Sequence, residues 1–313
     1  MRLLTDKELL KKAREACKRA NKTLYFLTYT FPKSKRNAAL FLYYYMRTLD
    51  DIVDKKGITK SHRINVLREH RKRMEMLYSG KTPPNITNRD RALQNFISHN
   101  PATARAIKPH MENMLTTMEI DSNNKSKLIP YKELIHYCYL GGGSPFAITL
   151  SLLDPRAGED TKENIARTLG VGMNLTHILR DFKKDVKLED IKVTPDEKHR
   201  FNLFGPKMDN DGLRAFARER VKEASGFLND GKKHIMKLNG FKLKLSFSIF
   251  RWRYMSMLKK VQLRNYDLMS DYKKTKPLEY FVSSAMLLKE IFVLTANSAF
   301  EAVKKPVQWV LSR

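Results

Sequence analysis

Residues Ala38 to Met46 are apolar almost without interruption, and one turn further on stands Asp50-Asp51-Ile52-Val53-Asp54. A helix that is apolar nearly all round belongs in the middle of a core. Asp50 and Asp54 are four residues apart, so on a helix their carboxylates share one face. Two like charges there repel, and acids at the end of a buried helix are costly unless paired or metal-bound. Taken alone, the motif also fits a solvated helix end. Acids are scarce, however: 60 Lys and Arg stand against 33 Asp and Glu.

The pattern recurs. Thr161 to Asp185 reads as one long helix with Leu169, Met173, Thr176 and Leu179 as its inward stripe, closing on Asp181-Phe182-Lys183-Lys184-Asp185. Two such motifs, each ending an apolar helix, favour paired acids on facing helices over two solvated ends. Hard carboxylate oxygens suit Mg²⁺, with substrate phosphates completing its coordination. Arg47 and Arg180 stand beside the motifs, and a planar guanidinium suits phosphate. The chemistry expected of such a site is ionisation of an allylic diphosphate followed by carbon–carbon bond formation. The metal would act as Lewis acid on the leaving group, and aromatic rings would face the carbocation. Tyr43-Tyr44-Tyr45, Tyr137 and Tyr139 can supply those rings; for any one of them core packing is the alternative.

The remaining pattern is helical: 5–20, 61–78, 90–100, 102–118, 131–140, 213–238, 242–271 and 278–303. Thr5 and Glu8 form a capping box for the first of these. No convincing alternating strand accompanies them, so the expected class is all-α, with 1–313 as a single domain. Residues 186–210 read as loop. Gly141-Gly142-Gly143-Ser144-Pro145 should break or kink its helix, or admit a close backbone neighbour. Two cysteines and a charged stretch from Met1 to Lys12 predict a reducing, cytoplasmic location without a secretory leader. No apolar run is long enough to span a bilayer. The net charge of +27 suits polyanionic small molecules or an anionic membrane face. Nucleic acid is not expected, because the basic residues are dispersed and no zinc-finger or RNP-like motif accompanies them.

With these residues assembled, the chain resembles the squalene/phytoene synthase family. Four stretches carry the likeness: Lys22-Thr23-Leu24-Tyr25-Phe26; Tyr43 through Asp54; Tyr137-Cys138-Tyr139 with the glycines after it; and Leu175 through Asp185. The resemblance implies an isoprenoid-synthase-type helical bundle around a central cavity. It also implies head-to-head condensation of two farnesyl or geranylgeranyl diphosphates, through a cyclopropyl intermediate, to a squalene- or phytoene-type hydrocarbon. Carried over, Asp50, Asp54, Asp181 and Asp185 bind Mg²⁺, and Arg47, Arg180, Lys22 and Thr23 hold diphosphate. Tyr43 and Tyr137 stand near the cation, and Tyr139, Phe146, Asn174, His177 and Tyr254 line the pocket.

Several positions depart from the family pattern. Lys184 replaces an acid, Asn174 and His177 replace Gln and Asn, and Phe146 replaces a small residue. Asp190-Ile191-Lys192-Val193 retains little of the element that normally follows the second motif. These departures keep two alternatives open: a terpene synthase that ionises one diphosphate or stops at the intermediate, and a non-catalytic descendant that binds a membrane or partner. His177 reads as a general base, a phosphate donor or an ordinary polar helix residue. No nucleotide fingerprint supports NADPH, although the family's reductive members lack an obvious one too. A hydrocarbon product and the basic surface together predict peripheral contact with an anionic membrane, with Ala302 to Arg313 as the candidate segment.

Overall fold

The computed structural model of the chain describes residues 2–311 except 54, 56, 124–127, 189, 190, 204–209 and 273; the side chains of 23 and 297–311 also lie outside the described set. The regular elements among the described residues are all helical. They are α1 (Asp6–Ala20), α2 (Lys22–Thr28), α3 (Lys33–Val53), α4 (Lys60–Tyr78), α5 (Asn88–His99), α6 (Pro101–Asn123), α7 (Tyr131–Cys138), α8 (Ser144–Leu153), α9 (Glu159–Ile165), α10 (Val171–Lys187), α11 (Pro195–Arg200), α12 (Asn210–Met236), α13 (Phe241–Leu263) and α14 (Pro277–Leu311). The all-α expectation holds.

Two apolar clusters organise the helices. Leu9, Leu40, Tyr45, Leu49, Leu67, Leu93, Phe96 and Met111 bind α1 and α3–α6 together. Leu134, Leu175, Phe182, Phe216, Leu228, Phe247 and Leu258 do the same for α7, α10, α12 and α13. Burying each such side chain contributes roughly 1.5–3 kcal/mol. As the apolar run predicts, α3 is central, with Leu40, Phe41, Leu42, Tyr45, Met46 and Leu49 buried. Its ends are held from outside. The Arg36 guanidinium donates to the carbonyls of Thr28, Tyr29 and Phe31, and Arg63 Nε donates to the Val53 carbonyl at 2.9 Å.

Asp90 is fully buried in the first cluster and is satisfied twice. It closes a capping box with Thr87 at the start of α5, and it accepts from Arg73 at 2.6 Å. Beside it, burial first and then Arg89 push the His70 imidazole down to about 4 from 6.5. The folded state therefore keeps His70 neutral where the unfolded chain protonates it. Its contribution is intact above pH 6.5 and is lost as pH falls towards 4. Between pH 7 and 5 the wild type is expected to lose about 2 kcal/mol more than His70→Leu does, a difference that urea unfolding at the two pH values measures.

The structure chooses among the readings in one place and corrects the sequence reading in four. At the Gly141 triplet the helix is not broken: α7 widens into a π turn over Tyr139–Gly143 and continues as α8. The long helix ending at the second motif is likewise interrupted by a π turn over Ala166–Gly170. Residues 186–210 contain α11, started by a Thr194–Glu197 capping box with Pro195 in its first turn. At its far end α6 runs on to Asn123 rather than stopping at Met118. Finally, α13 ends at Leu263 rather than Asp271, because Asn265 and Tyr266 take positive φ and turn the chain away.

The two π turns face each other backbone to backbone. A Cβ built on Gly142 would lie 2.2 Å from the Gly170 carbonyl oxygen, and one on Gly170 would lie 2.2 Å from Gly143 Cα. Of the readings open for the glycine triplet, close backbone approach is the one realised. This contact fixes α10 against α8 and so sets where the second aspartate motif stands.

Candidate active site

Helices α3, α6, α8, α10 and α13 wall a cavity of about 290 Å³. Each presents residues at helical spacing: Tyr43, Met46, Arg47 and Asp50 from α3, Met114 and Met118 from α6, and Pro145, Phe146 and Thr149 from α8. Met173 and His177 come from α10, Phe250 and Tyr254 from α13, and Asn21 and Leu24 close one corner. The charged groups sit at the α3 C-terminal end; the rest is mostly thioether, aromatic and aliphatic, with Asn21, Thr149 and His177 as neutral polar members. A second cavity of about 110 Å³ continues from it towards the α3 N-terminus. The two share Leu24, Tyr43, Met46, Met114, Pro145 and Thr149.

Arg47 bridges the first motif, with one terminal nitrogen 2.7 Å from Asp50 and the other on Asp51. Burial works against its charge, but the Asp51 and Asp50 carboxylates raise its proton affinity further. In the second motif Arg180 chelates its neighbour Asp181 with two bonds, at 3.0 and 2.5 Å. Burial pushes the Asp181 carboxyl up, yet the hydrogen bonds and charge of Arg180, with Lys184 nearby, more than offset it and hold the group below the usual carboxylate range. Lys184 thus adds positive potential where the family pattern has an acid.

The His177 ring meets Tyr254 edge-on, with centroids 5.3 Å apart. Burial, then Arg180, pushes the imidazole down to about 3. So weak a base is a poor proton acceptor near neutral pH, which disfavours the general-base reading and leaves a neutral polar wall. Burial also pushes the Tyr43 phenol up to about 12, so it remains a hydrogen-bond donor.

Of the residues singled out from sequence, Tyr43, Arg47, Asp50, Phe146, His177 and Tyr254 meet at this one cavity. Phe146 is buried, its ring 5.9 Å from Phe247 and 5.7 Å from Phe250. Arg180, Asp181 and Asp185 follow His177 along α10 at half-buried positions. Asp54 and the Thr23 side chain lie outside the described residues.

Four candidates stand elsewhere. Tyr139 turns to α9, donating to Glu163 at 2.7 Å with Arg167 over its ring. Tyr137 lies under the Lys192 ammonium. Asn174 packs on Gly141 and Gly142. Lys22 is exposed, while its neighbour Asn21 reaches the cavity, capping α2 and accepting from Arg253 at 3.2 Å.

Sequence reasoning also missed Arg253, a cation beside Tyr254, and the four methionines of the wall. Among the described residues no three acids, histidines or cysteines converge to cage a metal. Mg²⁺ does not require that: it keeps several waters and takes one or two carboxylates plus substrate phosphates. The Asp50 and Asp181 carboxylates have the right donor chemistry for such shared coordination.

Known proteins give the site its context. The chain is 26% identical over 234 residues to a chloroplastic phytoene synthase of an Oncidium hybrid cultivar, covering 72% of this chain and 54% of that one. It is 28% identical over 235 residues to the chloroplastic phytoene synthase of Narcissus pseudonarcissus, covering 72% and 53%. It spans about half the length of these curated relatives. A dehydrosqualene synthase crystal structure shares the fold with a TM-score of 0.76 at 22% identity, covering 93% of this chain and 98% of that one. A squalene synthase from Alicyclobacillus acidocaldarius does so with a TM-score of 0.71 at 14% identity, covering 83% and 95%. The squalene/phytoene synthase profile matches residues 17–279, taking in both aspartate motifs and every helix that walls the cavity; the chain belongs to that family.

Proposed function

We propose that this chain is a Mg²⁺-dependent prenyltransferase that joins two prenyl diphosphates head to head. The observation that carries this reading is the polarity of the cavity: Arg47 and Asp50 at one end, and for the rest a wall dominated by methionines and aromatic rings with an apolar extension. That asymmetry matches a substrate with an anionic head and a hydrocarbon tail.

In this reading Arg47 and Arg180 hold diphosphate oxygens, Arg253 adds a third cation, and Tyr43 donates a hydrogen bond at the head-group end. Asp50, Asp54, Asp181 and Asp185 would hold Mg²⁺, which neutralises charge on the departing diphosphate. The first substrate ionises, releasing its diphosphate, and the double bond of the second attacks the allylic cation; loss of a proton to the released diphosphate or water then closes the cyclopropane. The cyclopropylcarbinyl diphosphate releases its own diphosphate in turn, and the rearranged cation becomes the linear hydrocarbon by losing a second proton, or, in a reductive reaction, by accepting hydride from NADPH. Tyr254, Phe250 and Phe146 offer ring faces to these cations, and the neutral His177 adds no competing positive charge.

Incubation with farnesyl or geranylgeranyl diphosphate plus Mg²⁺, followed by extraction, tests this. Diphosphate release and a hydrocarbon of twice the substrate's carbon number are expected. No release with either substrate overturns the reading. Lys184 favours one alternative, arrest at the cyclopropyl intermediate, which the same extraction detects. A product unchanged by NADPH excludes a reductive reaction.

Peripheral contact with an anionic bilayer is part of the proposal. The net charge of +27 supports it, as do the exposed Phe281, Leu288 and Phe292 of α14. The side chains of the segment first expected to make that contact, Ala302 to Arg313, lie outside the described set. No described helix is long and apolar enough to cross a membrane. Sedimentation with anionic vesicles at low salt and release at high salt are expected; protein that stays in the supernatant at low salt argues against the contact.

A further inference from the structure

Helix α3, 21 residues and so about 31 Å long, runs beside a line of cavities. The aspartate-end cavity lies along Tyr43 to Asp50, and its apolar continuation along Ala39 to Met46. Beyond the N-terminus of α3, at the end of that helix away from the aspartates, is a third, open cavity of about 520 Å³. Its walls include the charged Asp154, Arg156 and Lys242. Among the described residues, Phe31 is the one that lines both this rear cavity and the apolar continuation.

Phe31 is almost fully buried, at 7% exposure. Its position is held rather than incidental. Arg36 donates to its carbonyl and to those of Thr28 and Tyr29. Thr30 bonds to the Leu27 carbonyl and meets Ser246 of α13. Pro32 then fixes the backbone where α3 begins. The ring therefore stands as a partition between a dry apolar channel and a wide, charged opening.

Resting on the prenyltransferase reading, we propose that Phe31 is the floor of the tail channel and sets the prenyl chain length the enzyme accepts. A tail that ends short of the ring fits beneath it, whereas a tail longer by one isoprene unit must displace it. A smaller residue would let the longer tail pass into the rear cavity. Hydrophobic pockets discriminate by tenfold or more for a single methylene, so a five-carbon difference gives a readable signal.

The test compares turnover of geranylgeranyl and farnesyl diphosphate in the wild type, Phe31→Leu, Phe31→Ala and Phe31→Trp. The ratio of longer to shorter substrate is expected to rise at least about tenfold in Phe31→Ala, to rise less in Phe31→Leu, and to fall at least about tenfold in Phe31→Trp. Binding of unreactive thio-diphosphate analogues of the two lengths should follow the same order in Kd. Ratios unchanged within twofold in the Leu and Trp variants overturn the assignment even if Phe31→Ala does not fold. Loss of the prenyltransferase reading looks different: the wild type would release diphosphate from neither substrate, while the analogue Kd values would still report the floor.

Discussion

Asp50→Asn and Asp181→Asn are each expected to slow diphosphate release by about a hundredfold or more while leaving the helical fold intact. A metal acting on a leaving group supplies several kcal/mol of transition-state stabilisation, and each 1.4 kcal/mol is about a factor of ten. Asparagine keeps the size of the side chain but removes the charge that attracts a cation. Asp50 lines the cavity and shares Arg47 with Asp51, whose side chain is 44% exposed and does not line it. Asp51→Asn therefore serves as the control, with an expected loss of less than about tenfold, since partly exposed ion pairs contribute at most about 1 kcal/mol. The measurement is steady-state diphosphate release across a Mg²⁺ titration. The Asp50 and Asp181 variants should need more Mg²⁺ for half-maximal rate, and the Asp51 variant should not. If Asp50→Asn turns over like wild type at limiting Mg²⁺, the metal assignment fails.

Part of the candidate site was legible because its chemistry is written in paired residues: Arg47 and Asp50 of the first motif line the cavity. Two DxxxD motifs with an arginine beside each can be read from spacing alone, and the all-helical pattern followed from the same periodicity. What escaped has physical reasons. A π turn adds one residue to a helix without altering its composition, so neither π turn left a mark on the apolar spacing. Tyr137 and Tyr139 are two apart and so cannot share a helix face; one meets Lys192 and the other Glu163, partners far off in sequence, and neither lines the cavity. The wall methionines Met46, Met114, Met118 and Met173 look like core in any helical stripe. Nothing local says that the space beside them is open. Asn21 and Lys22 differ by one position, and a cap selects the asparagine. For α11 the signal was present: Thr194 followed three residues later by Glu197, with Pro195 between, is a helix start. Its six residues carry no buried side chain, so a search for apolar periodicity passes over it.

Gly170→Ala is expected to be among the most damaging added methyls at the described glycines, costing about 4 kcal/mol or more against the roughly 5–15 kcal/mol that holds a domain folded. The added Cβ would lie 2.2 Å from Gly143 Cα, 2.4 Å from Gly143 N and 2.6 Å from Gly142 C. These are backbone atoms of a facing helix and cannot rotate aside as a side chain does. Relief requires the two π turns to separate, and both lead directly into helices that wall the cavity. Gly142→Ala should behave alike, its Cβ meeting the Gly170 carbonyl oxygen. Gly226→Ala, in the middle of α12 with nothing within 4 Å of the new methyl, should be neutral or stabilising by up to about 1 kcal/mol, as helix propensity alone dictates. Urea unfolding of the three variants separates tight crossing from a generic intolerance of glycine replacement. A Gly170→Ala midpoint equal to wild type would mean that the helices do not approach this closely. Where the variant remains folded, α10 must have moved away from α8, carrying His177 and Asp181 with it. Diphosphate release should then fall further than the loss of folded protein accounts for, because displacing a catalytic group by about 1 Å costs about a hundredfold.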